Sequence, residues 1–355
     1  MKAHRRVVLF GAGASYGARP EPRPPLGTQL HRYVQDYLKA AWSELNDLED
    51  CDGTTTSRVR KELDCRLRGA ISFEALVNDL LTQQNFSLLH KLNALMAYAL
   101  TPPINDDPRV DNSFVEQPDM YDSFLSKNFP ASKSLQSSSF ITLNYDCLFE
   151  RAICRSYQQE ADPIAQQCLC EHVNYRLQYN SSGIELLKPH GSINWVPDVT
   201  LVDRTLQGDS PIPIVGTIHQ NHTMEWTKVD PLPSPKEGHT EEIVVAHYAL
   251  QKIPQANPHL LQKIRDLAID RTRDAALIEI IGVHLPPDPP DDPFLWKLLE
   301  LMACKAKADC QVVYVNPDPK EIERARGYYH FETIEKTFQD YVASALGCYR
   351  PAPAV

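Results

Sequence analysis

The chain has 355 residues, 43% of them hydrophobic and 23% charged, ordinary for a globular protein and enough for one large domain or two smaller ones. Its net charge of −10 argues against a general binder of the phosphate backbone, and no direct nucleic-acid binding is expected. No apolar run approaches the roughly 18–20 residues that span a bilayer, and Val7–Phe10 is too short for a secretory signal, so a cytoplasmic protein without membrane association is expected.

In chain order, Arg6–Phe10 reads as a buried strand that breaks into the turn Gly11-Ala-Gly-Ala-Ser-Tyr-Gly17. A Pro-rich loop (19–25) follows, then a helix from about Thr28 to Leu48 with Thr28 as its N-cap. Between Ile71 and Leu100, apolar residues at helical spacing (Phe73, Leu76, Val77, Leu80, Leu81, Leu88, Leu89, Leu92, Leu95, Met96) predict one long helix or two packed ones. Thr101–Asp119 is rich in Pro, Asp and Asn and reads as a loop. Further strands are predicted at Ser139–Leu143, Ile184–Leu187, Ile243–His247, Leu277–Val283 and Gln311–Val315, with Pro197–Gly238 irregular between them. The expected fold is α/β, a Rossmann-like and mainly parallel sheet with helices on both faces. It is expected as a single domain over 1–355, with a large helical insertion at about 30–135 and an irregular one at about 197–240.

Three strand ends carry the chemistry. The Gly11–Ser15 turn lies between a strand and a helix, where glycine lets backbone amides approach a pyrophosphate. It is not a full G-x-G-x-x-G, because Tyr16 stands where the third glycine belongs. Thr142-Leu-Asn-Tyr-Asp146 sets Asn144 and Asp146 just beyond a strand, either to hold a ribose hydroxyl and water or to cap a helix from near Cys147. In Leu186-Leu-Lys-Pro-His-Gly-Ser-Ile-Asn-Trp195, His190 follows a strand and precedes a glycine, a setting in which an imidazole can take a proton near neutral pH. Gly282 ends the strand Leu277–Val283, and Asp291 or Asp292 is placed to cap the next helix. Asn316 either meets a ribose hydroxyl or shapes a turn before Pro317. The nine cysteines include no C-x-x-C, and the closest pair is Cys168 and Cys170, so reduced thiols and no structural zinc are expected.

Taken in order, these segments resemble the sirtuin superfamily, and more closely the sirtuin-like NADase domains of bacterial antiphage defence systems. The resemblance is carried by Gly11-Ala12-Gly13, Thr142-Leu143-Asn144-Tyr145-Asp146, His190-Gly191, Gly282-Val283-His284-Leu285 and Val315-Asn316. It implies Asn144 and His190 as the catalytic pair. It also implies NAD contacts from Gly11, Ala12, Gly13, Ser15, Asp146, Gly282 and Asn316, with Ala14 and Thr142 of the same motifs beside them. The paired C-x-x-C zinc module of deacetylating sirtuins is missing and Leu143 replaces a glutamine, so no metal site is expected and protein deacylation is disfavoured. The activity implied is hydrolysis of the nicotinamide–ribose bond of NAD, the dinucleotide being substrate. The alternatives are an NAD- or ADP-ribose-binding scaffold, or an NAD-dependent deacylase or ADP-ribosyltransferase. The resemblance further implies a role in antiphage defence with a protein partner, either a HerA-like ATPase or a short Argonaute-type protein. Ile71–Leu100 carries more apolar residues than one exposed helix needs, so a homo-oligomer with much of its contact there is expected, the alternative being a helical subdomain folded back on itself.

Overall fold

The computed structural model describes residues 5–18, 26, 29–40, 56–70, 73–83, 85, 88, 92, 95–96, 100, 119–129, 137–146, 148–158, 173–174, 184–192, 195–197, 218–220, 258–286, 292–308 and 310–344. Its elements begin with β1 (Arg5–Phe10), α1 (Ala12–Ala18), α2 (Leu30–Ala40), α3 (Thr56–Gly69), α4 (Phe73–Thr82) and α5 (Met120–Asn128). They continue with β2 (Ser138–Thr142), α6 (Leu148–Gln158), β3 (Val173–Asn174), β4 (Ile184–Leu187), β5 (Trp195–Pro197), β6 (Ile218–Gln220) and α7 (Pro258–Arg273). Last come β7 (Ala275–Ile281), α8 (Pro293–Lys307), β8 (Gln311–Asn316), α9 (Pro319–Arg324), a π-helical turn (Ala325–Tyr329), β9 (Glu332–Glu335) and α10 (Phe338–Ser344). The chain divides into two compact units, Met1–Pro24 with Glu116–Pro189 and Lys263–Val355, and Pro25–Val115 with His190–Gln262.

The first unit is α/β and Rossmann-like. Its seven strands lie in the order β3-β4-β2-β1-β7-β8-β9, and every neighbouring pair is parallel. Parallel strands bury both faces under helices, and so read as unbroken apolar runs. Val7 to Phe10, Phe140, Ile141, Ile278 and Ile280 are accordingly sealed from solvent. From β1 the chain builds the sheet through β2 in one direction and, later, through β7 and β8 in the other. The carboxyl ends of β1 and β7 therefore flank the topological switch point, where open α/β sheets bind ligands.

Two devices set the ends of β1. Phe10 is the hub of an aromatic cluster with Tyr121, Phe124, Phe140, Phe149 and Phe338, at centroid distances from 4.8 to 6.5 Å. The pairs with Tyr121, Phe124 and Phe338 are edge-to-face, an arrangement that adds about 0.5–1.5 kcal/mol each beyond area burial. At the other end Arg6 donates to the buried Glu279 at 2.5 Å while its guanidinium lies 4.3 Å from the Phe129 ring centroid. Tyr341 of α10 donates to the same Glu279 at 2.6 Å.

Most strand boundaries match the predicted ones within one or two residues. The clearest shift is Leu277–Val283, which ends at Ile281 because Gly282 turns the backbone with φ of +63°. The two edge strands β3 and β9 were not expected from the sequence: one is two residues long, and the other, Glu-Thr-Ile-Glu, has no apolar run. Ile243–His247, the loops at 19–25 and 101–118, and most of Pro197–Gly238 lie outside the described residues, as does Thr28.

In the second unit α2, α3 and α4 carry buried Leu30, Val34, Leu38, Leu63, Leu67, Leu76, Val77 and Leu80. Leu88, Leu92, Leu95 and Met96 are helical and also buried. Gln35 donates to Asp64 at 2.8 Å, tying α2 to α3, and Arg66 reaches Asp79 at 3.0 Å, tying α3 to α4. β5 and β6 form a small antiparallel pair. The apolar stripe of 71–100 is thus covered within the chain wherever it is described.

Candidate functional site at the carboxyl ends of the strands

At the switch point, backbone meets backbone. Gly11 N donates to Ile281 O at 2.9 Å and Gly13 N to Gly282 O at 2.9 Å. A Cβ on Gly11 would lie 2.5 Å from Gly282 O, and one on Gly282 would strike Ala14 N and Gly13 from a left-handed backbone. Gly11 and Gly282 are required by chain packing before any ligand is considered, and a Cβ on Gly13 would sit tightly, 3.0 Å from Gly282. Ala14 is buried and donates to Gly11 O at 3.0 Å, and Ala12 is half-buried at the first position of α1.

Asn144 closes this turn from the β2 side. Its Nδ2 donates to Gly11 O at 3.0 Å and to Ser15 Oγ at 2.8 Å, while its backbone N–H donates to Thr142 Oγ1 at 3.2 Å. A carbonyl can only accept, so the group facing Gly11 O must be the NH₂ end and the amide orientation is fixed. The acceptor Oδ1 then points away from both partners, and it receives no hydrogen bond among the described residues. The structure thus brings together Gly11, Gly13, Ala14, Ser15, Thr142, Asn144 and Gly282.

Asp146 takes the capping role: its Oδ1 accepts from Leu148 N at 3.1 Å at the start of α6. Its carbonyl accepts at 2.6 Å from Lys188 Nζ, which also pairs with Glu150 at 2.8 Å. Lys188 and Glu150 are 0% and 1% exposed, so this is a desolvated ion pair backing the Asn144 segment. His190 stands three residues beyond β4, is buried, and precedes Gly191 at φ +85°. The carbonyl before it, Pro189 O, accepts from Arg265 Nε at 3.2 Å. Burial draws the Arg265 pKa below its ordinary value, against the opposing pull of Asp292 and Tyr145.

Asn316 behaves differently. Its Nδ2 donates to Val283 O at 3.1 Å and to the Tyr314 hydroxyl at 3.0 Å, and its Oδ1 accepts from Asp318 N at 2.9 Å. It shapes the turn into α9. Glu321 completes this edge, accepting from Leu285 N at 2.8 Å, from Arg324 at 3.4 Å, and pairing with His284 at 3.2 Å. Asp292 caps α8 through Leu295 N at 3.1 Å, while Asp291 lies outside the described residues.

Sequence reasoning passed over Tyr121, whose hydroxyl lies 3.0 Å from Ser15 Oγ, and over the Lys188–Glu150 pair and Arg265. A signal for the first existed. Asp119-Met-Tyr-Asp122 is a capping box, with Asp119 accepting from Tyr121 N and Asp122 N, and Asp122 from Asp119 N, so a helix starts there and carries Tyr121 inward. Burial pushes the Tyr121 phenol well above its ordinary range, and the negative charge of Asp146 adds to this.

Among the described residues no group of three or more His, Cys, Asp or Glu side chains is placed to hold a metal ion, and no helix is long and apolar enough to cross a membrane. Cys65, Cys304 and Cys310 are free thiols, while Cys168 and Cys170 lie outside the described residues.

A parallel sheet with a glycine turn at its switch point and polar side chains on neighbouring strand ends defines a Rossmann-like α/β architecture. No family model matches the chain, and no curated protein matches it. Solved structures of Sir2 homologues are similar to it. A mutant Sir2 homologue in complex with ADP-ribose is 13% identical over 96% of this chain and 90% of that one, with a TM-score of 0.45. A Sir2 homolog–NAD complex is 13% identical over 96% and 88%, with a TM-score of 0.43. These are distant likenesses.

Proposed function

We propose that the chain is an NAD glycohydrolase, cleaving the nicotinamide–ribose bond to give nicotinamide and ADP-ribose. The observation that supports this most is Asn144, which is clamped by two donated hydrogen bonds while its carbonyl oxygen accepts none among the described residues. It stands at the carboxyl edge of the sheet beside the switch point, where an α/β protein takes its nucleotide. Breaking the glycosidic bond passes through an oxocarbenium-like state, so the ribose must be held and the incoming water oriented without later rearrangement. A fixed amide acceptor does both, binding a ribose hydroxyl or a water proton.

In this reading His190 takes the part of general base or ribose-hydroxyl partner, on the strength of the motif that carries it. Gly11, Ala12, Gly13, Ala14 and Ser15 hold the pyrophosphate. Thr142, Asp146 and Gly282 act on NAD through the backbone segments they fix, whereas Asn316, engaged on Val283, Tyr314 and Asp318, serves the sheet edge. No zinc takes part. The chain works in the cytoplasm as a homo-oligomer, an NAD-depleting effector of antiphage defence, held in check by a partner of the HerA-like ATPase or short Argonaute type.

The test is direct. Purified protein, alone and with such a partner, is incubated with NAD and the products are separated by chromatography. Stoichiometric nicotinamide and ADP-ribose are expected, and His190→Ala is expected to lower turnover by about 10²–10⁴-fold with an unchanged melting transition. Intact NAD in every combination, with NAD still bound, would replace hydrolysis by the scaffold reading.

A further inference from the structure

Ser15 lies at the junction of two hydrogen bonds: Asn144 Nδ2 at 2.8 Å and the Tyr121 hydroxyl at 3.0 Å. Geometry alone leaves open which hydroxyl donates to which, but the surroundings decide it. Tyr121 is 1% exposed and enclosed by Phe10, Phe149 and Phe338 at centroid distances of 5.2, 5.3 and 5.2 Å. A buried phenol gains most by donating its proton, and among the described residues Ser15 Oγ is the acceptor within reach. The raised Tyr121 pKa, due first to burial and then to Asp146, keeps that proton in place across the working pH range.

Ser15 therefore accepts twice, from Asn144 and from Tyr121, which fills both lone pairs of its hydroxyl. Its own proton cannot turn back to Gly11 O, because that carbonyl already accepts from Ala14 N and from Asn144 Nδ2, each at 3.0 Å. We propose that Tyr121 is a positioning residue of the site: by donating to Ser15 it makes that hydroxyl a donor toward a ligand oxygen and holds the Asn144 amide in its single orientation. This deepens the assignment of Asn144 to the substrate and rests on it for its kinetic consequence, but the network itself is independent of any ligand.

Tyr121→Phe removes one oxygen atom and keeps the ring among its aromatic neighbours. Three variants are compared with the wild type: Tyr121→Phe, Ser15→Ala and the two combined. Steady-state NAD turnover, melting and the side-chain amide resonances of 15N-labelled asparagine are measured, with Asn144 assigned by its loss in Asn144→Ala. Tyr121→Phe is expected to lower kcat by about tenfold with KM nearly constant, the size of one lost orienting hydrogen bond. It should speed exchange of the Asn144 amide protons and add no further loss once Ser15 is alanine. An unchanged kcat with an unchanged Asn144 resonance overturns the proposal. So does a loss of equal size in the Ser15→Ala background, since Tyr121 would then act by another route. A wild type that never turns over NAD while Tyr121→Phe still alters the Asn144 amide would leave the network standing and sink the hydrolase reading instead.

Discussion

Two asparagines end two parallel strands of the same sheet, and they do opposite things. Asn316, the last residue of β8, engages both ends of its amide inside the protein: two donated bonds to Val283 O and Tyr314, one accepted from Asp318 N. Asn144, after β2, engages only its NH₂ among the described residues, on Gly11 O and Ser15. The first is a turn residue whose amide is engaged by the protein at both its nitrogen and its oxygen. The second is held just as firmly, with an acceptor left over. A strand-end asparagine is thus sorted into scaffold or site by counting which of its atoms the protein already satisfies.

The largest effect that probes this contrast lies behind Asn144. Lys188→Met removes the buried ammonium that pairs with Glu150, and breaking such a pair typically costs about 3–5 kcal/mol. A strong drop in the melting temperature is expected, with much of it recovered by adding Glu150→Leu, since a well-packed apolar pair is often neutral or better. If the single substitution is silent, Lys188 is not what holds the Asn144 segment.

Gly282→Ala comes next. It places a side chain on a left-handed backbone and against Ala14 and Gly13, for a combined cost of about 2–4 kcal/mol. It should loosen the β1–β7 junction on which the Asn144 clamp is built, and a thermal melt reads the loss. A variant as stable as the wild type would mean that the glycine contact yields more readily than its geometry implies.

The smallest effect is on the Asn316 side and depends on pH. Burial alone would raise the Glu321 carboxyl, but hydrogen bonds from His284 and from Leu285 N, with the charge of Arg324, hold it below its ordinary value. A depressed carboxylate stabilises the fold above its unfolded pKa and loses that contribution as pH falls through the folded one. Stability should therefore decline below about pH 4.3, the ordinary glutamate value, and Glu321→Gln should flatten that decline. An acid limb identical in the variant would remove Glu321 from the account.

The contrast was only partly legible in the sequence. Buried parallel strands announce themselves as apolar runs, so Val7–Phe10, Ile184–Leu187 and Gln311–Val315 stood out, whereas the edge strand Glu332–Glu335 has no such run to show. Both asparagines looked alike, each an amide after a strand, with a turn or cap reading beside the functional one. What separates them is their partners: the distant Gly11 and Ser15 for Asn144, but the distant Val283 with the nearby Tyr314 and Asp318 for Asn316. Spacing carries no trace of such long-range bonds. Nor could the glycine turn show that Gly11 and Gly13 answer first to Gly282, from the far side of the switch point.

The most direct test compares Asn144→Ala with Asn316→Ala in one NAD hydrolysis assay, with turnover normalised to folded protein. The account predicts that Asn144→Ala loses at least about a hundredfold in nicotinamide release while staying folded, as removal of a single transition-state-stabilising group typically does. Asn316→Ala should melt earlier, by about 1–3 kcal/mol for the backbone groups it leaves unsatisfied, yet keep its turnover per folded molecule. Nicotinamide release by Asn144→Ala at the wild-type rate would contradict the assignment of Asn144 to the reaction.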